Sequence, residues 1–96
     1  MRTDEALVVL RRFKEERGEE YHLTGLGLFG SVARGTATED SDVDVVFTTD
    51  APNLFRMSRM RQELERCFGC GVDVIGLHDH MNPTLKRRIQ GEARYV

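Results

Sequence analysis

The chain lacks several features that mark specialised classes of protein. No apolar run approaches the roughly 20 residues that a membrane-spanning helix needs. The first residues, Met1-Arg2-Thr3-Asp4-Glu5, contain no hydrophobic signal region, so we expect a cytoplasmic protein. The net charge is -2, without the basic excess typical of proteins that bind nucleic acid, and we therefore expect no nucleic acid partner.

Cysteine is also scarce. Cys67 and Cys70 form a Cys-x-x-Cys motif, which is compatible with half of a zinc site or with a redox pair, and His78 and His80 follow it. The spacing to the histidines matches no common zinc finger. We interpret both cysteines as reduced, partly buried thiols.

The 96 residues show no internal repeat, no low-complexity tract and no linker, so they predict one domain, residues 1–96. Hydrophobic periodicity predicts the order helix, strand, short helix, strand, helix, strand, helix and a short last strand. Thr3, Asn53 and Asn82 precede the three long helices and are suited to cap them. Helices that alternate with strands favour an α/β fold, in which helices cover a sheet.

The predicted strand that starts at Asp42-Val43-Asp44 combines charge with apolar residues. Because side chains at i and i+2 lie on the same face of a strand, Asp42 and Asp44 should project together. Two adjacent carboxylates repel each other unless a cation or a proton neutralises them, and Mg²⁺ prefers such oxygen ligands. A bare Asp-x-Asp is common on solvated strand ends, so this pair alone would not establish a metal site.

A glycine-serine element lies upstream of the aspartates. The sequence Gly30-Ser31-Val32-Ala33-Arg34-Gly35 follows a predicted strand over residues 23–29, and we expect Ser31 to cap a short helix that Gly35 ends. Free amides at such a turn suit phosphate, and glycine lets it approach closely. An ordinary strand–turn–helix corner would have the same sequence pattern. The combination of the glycine-serine element with the aspartate pair, however, favours chemistry on a nucleoside triphosphate.

Together, Gly30-Ser31-Val32-Ala33-Arg34-Gly35 and Ser41-Asp42-Val43-Asp44 resemble the signature of the nucleotidyltransferase superfamily that includes DNA polymerase beta and kanamycin nucleotidyltransferase. The short chain is most similar to the minimal nucleotidyltransferases. In that family the genes are commonly paired with a helical HEPN protein in toxin–antitoxin modules. The resemblance implies a small mixed β-sheet with helices on one face and with acidic residues on its open face.

The resemblance also implies a third carboxylate on a later strand. Asp73, in the β-branched run Val72-Asp73-Val74-Ile75, is the only other acidic residue inside a predicted strand. Its ordinary interpretation is an edge-strand aspartate that faces water. Glu63 and Glu65 lie on a predicted helix, and Asp79 lies in a polar turn, so we assign the role to Asp73.

The mechanism that the resemblance implies uses ATP as substrate and two Mg²⁺ ions. Asp42, Asp44 and Asp73 would be the catalytic, metal-binding residues, while Gly30 and Ser31 would hold the β- and γ-phosphates. Asp73 is also the candidate base for an acceptor hydroxyl. Two interpretations of Arg34 stay open at this point: it neutralises phosphate, or it pairs with a neighbouring carboxylate.

The acceptor implied by the resemblance is a hydroxyl, typically of tyrosine, on a HEPN toxin. Transfer of AMP to that hydroxyl would inactivate the toxin, which makes the chain an antitoxin. One alternative is a non-catalytic antitoxin or nucleotide-binding subunit that acts by contact. A second alternative is a nucleotidyltransferase that modifies small molecules such as antibiotics. The sequence leaves open whether the chain forms a homo-oligomer.

Overall fold

A computed structural model describes all residues, 1–96, and contains four helices and four strands. The order confirms the one predicted from periodicity. The elements are α1 (Thr3–Arg17), β1 (Leu23–Phe29), α2 (Gly30–Arg34), β2 (Val43–Thr49), α3 (Leu54–Phe68), β3 (Val72–Gly76), α4 (Pro83–Glu92) and β4 (Arg94–Tyr95).

The four strands form one mixed sheet in the order β3-β2-β1-β4. Strand β1 runs antiparallel to both β2 and β4, whereas β2 and β3 run parallel. The end of β1 therefore lies beside the start of β2, and the start of β3 lies on the other side of β2. This topology brings the predicted glycine-serine turn and the predicted aspartates to one end of the sheet.

One face of the sheet carries the main hydrophobic core. Val43, Val45 and Phe47 point to this face and are buried, as the alternation in β2 predicts. Helices α1 and α3 cover the face with buried apolar side chains spaced at helical intervals. These side chains are Ala6, Leu10 and Phe13 of α1 and Met60, Leu64 and Phe68 of α3.

The opposite face is partly covered by α4. Ile89, the only buried residue of that helix, packs against Phe29 and Val46 in a second, smaller cluster. The mixed sheet is confirmed, but this face is less open than we expected, because α4 also needs an apolar surface on which to bury Ile89. Asp44 and Asp73 lie on the same face as this smaller cluster.

The two glycines inside β1 allow close approach of another strand. A Cβ atom added to Gly27 would lie 2.8 Å from the carbonyl oxygen of Arg94 and 3.0 Å from the ring of Tyr95. Strand β4 pairs with β1 at this position. Gly27 thus marks the place where β4 docks. A glycine inside a strand often indicates close approach of either a ligand or another backbone, and here it is another backbone.

Two of the three predicted helix caps are confirmed. The side chain of Asn53 accepts a hydrogen bond from the Arg56 amide, and that of Asn82 accepts bonds from the first turn of α4. The prediction for Thr3 was wrong, because α1 has no side-chain cap. Instead, the Thr3 hydroxyl donates to the carbonyl oxygen of Val32 and ties α1 to α2.

None of the four helices combines the length and the apolar character required to cross a membrane.

Candidate active site

Gly30 forms the turn between β1 and α2. Its φ angle is +71°, a left-handed conformation that only glycine adopts without a steric penalty. A Cβ atom at this position would also overlap the carboxylate of Asp44. Both constraints require glycine here, and together they place the backbone of the turn directly against Asp44.

Ser31 lies inside the first turn of α2 and does not cap it. The helix starts at Gly30, after Phe29, and has no side-chain cap, so the prediction of a serine cap was wrong. The left-handed Gly30 starts the turn one residue earlier than the sequence suggested. Gly35, with a φ angle of +77°, ends α2 as predicted.

Asp44 and Asp73 are partners in the parallel pairing of β2 and β3. Directly paired residues point to the same face of a sheet, so the two carboxylates share the face that α4 partly covers. Asp44 is partly buried, whereas Asp73 and Asp42 are exposed. Asp42, just before β2, lies against Gly71, whose missing side chain leaves space for the Asp42 carboxylate.

The electrostatics of this end of the sheet centre on Asp44. Burial raises the pKa of the Asp44 carboxyl above its usual value, and the negative charges of Asp73 and then Asp42 raise that pKa further. Arg34 and Arg88 act in the opposite direction. Asp73 and Asp42 are therefore each close enough to repel Asp44, and a cation at this place would relieve the repulsion.

The donor set fits Mg²⁺ when phosphate oxygens contribute to the coordination. No three His, Cys, Asp or Glu side chains are arranged closely enough to hold a metal ion by themselves. Mg²⁺ seldom uses such an all-protein site; it takes one or two carboxylates and completes its shell with water and substrate phosphate. Paired carboxylates beside the Gly30 turn match that requirement.

Arg34 pairs with a carboxylate that the sequence analysis did not identify. One oxygen of Glu92, Oε2, lies 3.2 Å from Nη1 of Arg34 and also accepts the backbone N–H of Gly30 at 3.4 Å. The other oxygen, Oε1, lies 3.4 Å from Nε of Arg88. The spacing of Arg88 and Glu92 by four residues on α4 predicts their pair, but no local pattern predicts the contacts with the turn.

The other acidic candidates lie elsewhere. Asp79 binds Lys86 at 2.8 Å, and this hydrogen bond lowers the pKa of the Asp79 carboxyl. Glu63 accepts hydrogen bonds from Arg17 and Tyr21 between α1 and α3. Neither residue contacts the three aspartates, and Asp73 remains the predicted third carboxylate.

Cys67 and Cys70 belong to no metal cluster. Both thiols are free; Cys67 is exposed and Cys70 is partly buried. The expectation of partial burial therefore holds for Cys70 only. The histidines downstream do not join the cysteines in a metal-binding group.

A cavity of about 780 Å³ lies at the other end of β2 and β3. Thr49, Met57, Gly76 and His78 are among the residues that line it. It contains none of the aspartates and no residue of the Gly30 turn. We base the candidate site on the charged groups, which lie on an open surface.

Comparison with known proteins identifies the family. The model of the nucleotidyltransferase domain family matches residues 10–96. The chain is 33% identical to MJ1379 of Methanocaldococcus jannaschii, provisionally assigned as a protein adenylyltransferase, over 92% of this chain and 91% of that protein. It is 30% identical to the protein adenylyltransferase MntA of Thermococcus cleftensis, over 92% of this chain and 89% of that protein.

Solved structures share the fold. A protein provisionally assigned as a minimal nucleotidyltransferase superposes with a TM-score of 0.82 at 26% identity, covering 98% of this chain and 95% of that chain. A chain from the complex of a tri-AMPylated Shewanella oneidensis HEPN toxin with its MNT antitoxin superposes with a TM-score of 0.60 at 15% identity, covering 90% and 71%. The second likeness concerns the fold alone. The resemblance of the Gly30–Gly35 and Ser41–Asp44 motifs is thereby confirmed, and the chain belongs to the nucleotidyltransferase domain family, as one of its minimal members.

Proposed function

We propose that this chain transfers AMP from ATP to a hydroxyl group of a helical HEPN toxin and thereby acts as the antitoxin. The observation that carries the proposal is the register of β2 and β3, which sets Asp44 beside Asp73 at the left-handed turn of Gly30. Carboxylates next to a close-approach glycine are what a metal–triphosphate substrate requires.

The turn would hold the triphosphate. The Gly30 backbone lies against Asp44 without a side chain in the way, and Ser31 adds a hydroxyl in the next position. Arg34, at the end of α2, carries the positive charge that would neutralise the β- and γ-phosphates.

Asp42 and Asp44 would hold one Mg²⁺ ion, and Asp73 would complete the site for a second. When bound, these ions would neutralise phosphate charge and stabilise the attacking and leaving oxygens of the transfer. Asp44 contributes by being partly buried, since a charge in that environment attracts a cation more strongly than an exposed one does.

Asp73 would act as the general base. It is exposed, so an acceptor hydroxyl can reach it, and it lies next to Asp44 in the sheet. The hydroxyl oxygen bonds to the α-phosphorus, its proton passes to Asp73, and the bond between the α-phosphorus and the bridging oxygen breaks, so that pyrophosphate leaves.

The choice of acceptor is supported by the relatives. The similar protein from Thermococcus cleftensis is named a protein adenylyltransferase, and the Shewanella oneidensis complex contains a HEPN toxin that carries AMP. Both names describe a protein as the acceptor, so they favour a protein hydroxyl over a small-molecule hydroxyl.

The proposal is tested with radiolabelled ATP, Mg²⁺ and a purified HEPN protein. We expect label on the HEPN protein with the unmodified chain and none with Asp42→Ala, Asp44→Ala or Asp73→Asn. Asp50→Asn is the matched control, because Asp50 is exposed and lies beyond the far end of β2. That variant should label the partner at the unmodified rate.

Three outcomes would contradict the proposal. A stable complex without label, unaffected by the aspartate variants, would identify an antitoxin that acts by contact. Label on an aminoglycoside in place of the protein would identify a small-molecule enzyme. Transfer that survives all three aspartate variants would move the catalytic site elsewhere in the chain.

A further inference from the structure

Glu92 occupies the donors that a triphosphate would need. Its Oε2 atom accepts both the Gly30 N–H at 3.4 Å and a guanidinium N–H of Arg34 at 3.2 Å. A carboxylate and a phosphate are recognised by the same groups, namely backbone amides and the planar guanidinium of arginine. A phosphate therefore competes with Glu92 for the Gly30 N–H and for the Nη1 group of Arg34.

The position of Glu92 in its own helix is electrostatically unfavourable. It is the last residue of α4, and the last turn of α4 contains no basic residue. The C-terminus of a helix carries partial negative charge, so a carboxylate there is disfavoured unless groups outside the turn compensate. Arg34 and the Gly30 N–H, from α2, supply that compensation, together with Arg88 one turn earlier.

The side chain of Glu92 can leave at low cost. It is 24% exposed and Arg34 is 44% exposed, so solvent screens their ion pair, and pairs of this kind contribute about 0.2–1 kcal/mol. Helix α4 has one fully buried residue, Ile89, and a partly buried one, Leu85, against the sheet. A triphosphate that offers Arg34 more negative charge than one carboxylate can displace such a contact.

We propose that Glu92 is a displaceable carboxylate gate, which covers Arg34 and the Gly30 amide and is expelled when nucleotide phosphate binds there. The inference rests on the proposed function, since it assumes that these donors receive phosphate. The inference adds that Glu92, in the last turn of α4, competes with the substrate. Nucleotide binding is thereby coupled to α4 through this residue.

The test compares MgATP binding to the unmodified chain, Glu92→Gln and Glu16→Gln by isothermal titration calorimetry. Glutamine keeps the size of Glu92 but removes the charge that competes with phosphate. We expect Glu92→Gln to bind MgATP about five-fold more tightly. This factor corresponds to about 1 kcal/mol, the upper end of the range of free energies for a screened ion pair. Glu16 is the matched control, because it also pairs with an arginine four residues earlier, Arg12, but at the end of α1 opposite to Thr3, which contacts α2.

Two further measurements locate the effect. Tripolyphosphate should also bind more tightly to Glu92→Gln, whereas adenosine, which carries no phosphate, should bind both forms equally. In an Arg34→Ala background the gain from Glu92→Gln should shrink, since the competition then concerns only the Gly30 amide. Thermal unfolding of each variant checks that it is folded.

Equal affinity of Glu92→Gln and the unmodified chain would overturn the gate. Weaker binding by Glu92→Gln would also overturn it, and would make Glu92 a residue that positions Arg34 for the nucleotide. The gate and the proposed function fail separately. Tighter MgATP binding without AMP transfer would refute only the transferase, and AMP transfer with equal affinities would refute only the gate.

Discussion

Asp44 and Asp73 are direct neighbours across the parallel pair of strands β2 and β3. Like charges directly opposite each other destabilise a sheet, and here the partial burial of Asp44 adds to the cost. The pKa of Asp44 is raised for both reasons, burial first. The folded chain thus carries an unfavourable charge at the place where the proposed metal–nucleotide substrate would bind.

Asparagine at position 44 should increase stability at neutral pH. Because the pKa of Asp44 is raised on folding, its favourable contribution is complete below the ordinary value of 3.8 and is lost as the pH rises through the higher pKa of the folded state. Relief of one like-charged cross-strand pair is worth about 0.5 kcal/mol, so we expect Asp44→Asn to raise the Tm at pH 7 by about 2–4 °C. Thermal unfolding of this variant and of Asp50→Asn as a function of pH measures the effect, and an unchanged Tm at neutral pH would contradict it.

Mg²⁺ should stabilise the chain through the aspartates. In the presence of ATP, a metal concentration ten times Kd adds about 1.4 kcal/mol to the free energy of unfolding, because only the folded state has the site. This added free energy should raise the Tm of the unmodified chain. We expect the increase in Tm to be lost with Asp42→Asn or Asp44→Asn and to be reversed by a chelator. Equal Mg²⁺ shifts in all three proteins would place the metal away from these residues.

Gly30→Ala should be much more damaging than Gly69→Ala. Both glycines have a φ angle of +71°, so both substitutions carry the same backbone penalty of about 1–2 kcal/mol. Only at Gly30 does the added Cβ overlap another side chain, the carboxylate of Asp44; around Gly69 the space is free. We expect Gly30→Ala to cost about 2 kcal/mol more than Gly69→Ala in chemical denaturation.

The additional loss of stability in Gly30→Ala, relative to Gly69→Ala, should depend on Asp44. Combining Gly30→Ala with Asp44→Ala removes the overlapping carboxylate, so the double variant should recover most of the difference. Equal costs for the two glycine substitutions, or strict additivity in the double variant, would show that the turn does not press against Asp44.

Tyr21 should ionise at a higher pH than an ordinary tyrosine side chain. Burial, followed by its hydrogen bond to Glu63, raises the pKa of Tyr21 to about 12. Its contribution to stability is complete below the ordinary value of 10.0 and is lost as the pH rises through about 12. Because the chain has two tyrosines, Tyr95→Phe leaves Tyr21 alone, and ultraviolet absorbance should then show one transition near pH 12. A transition near pH 10 in the folded variant would contradict the buried hydrogen bond.

Features that depend on a few neighbouring residues were predicted well. The caps at Asn53 and Asn82 and the termination of α2 at Gly35 follow from local backbone chemistry, and the structure contains all three. Threonine and serine are residues that often cap helices, yet neither Thr3 nor Ser31 caps its helix. The hydroxyl of Thr3 instead bonds to Val32, a residue 29 positions away, and a local pattern cannot anticipate such a partner.

The sequence by itself determined that Val43, Val45 and Phe47 share a buried face and that the chain turns sharply at Gly30, because side-chain alternation and steric freedom are properties of adjacent residues. Only the tertiary structure decided that Asp73 faces Asp44 and that Glu92 reaches Gly30, 62 positions away. Strand register and the docking of α4 are set by burial of apolar side chains distant in sequence, so the contacts among the charged groups follow from the packing of the core.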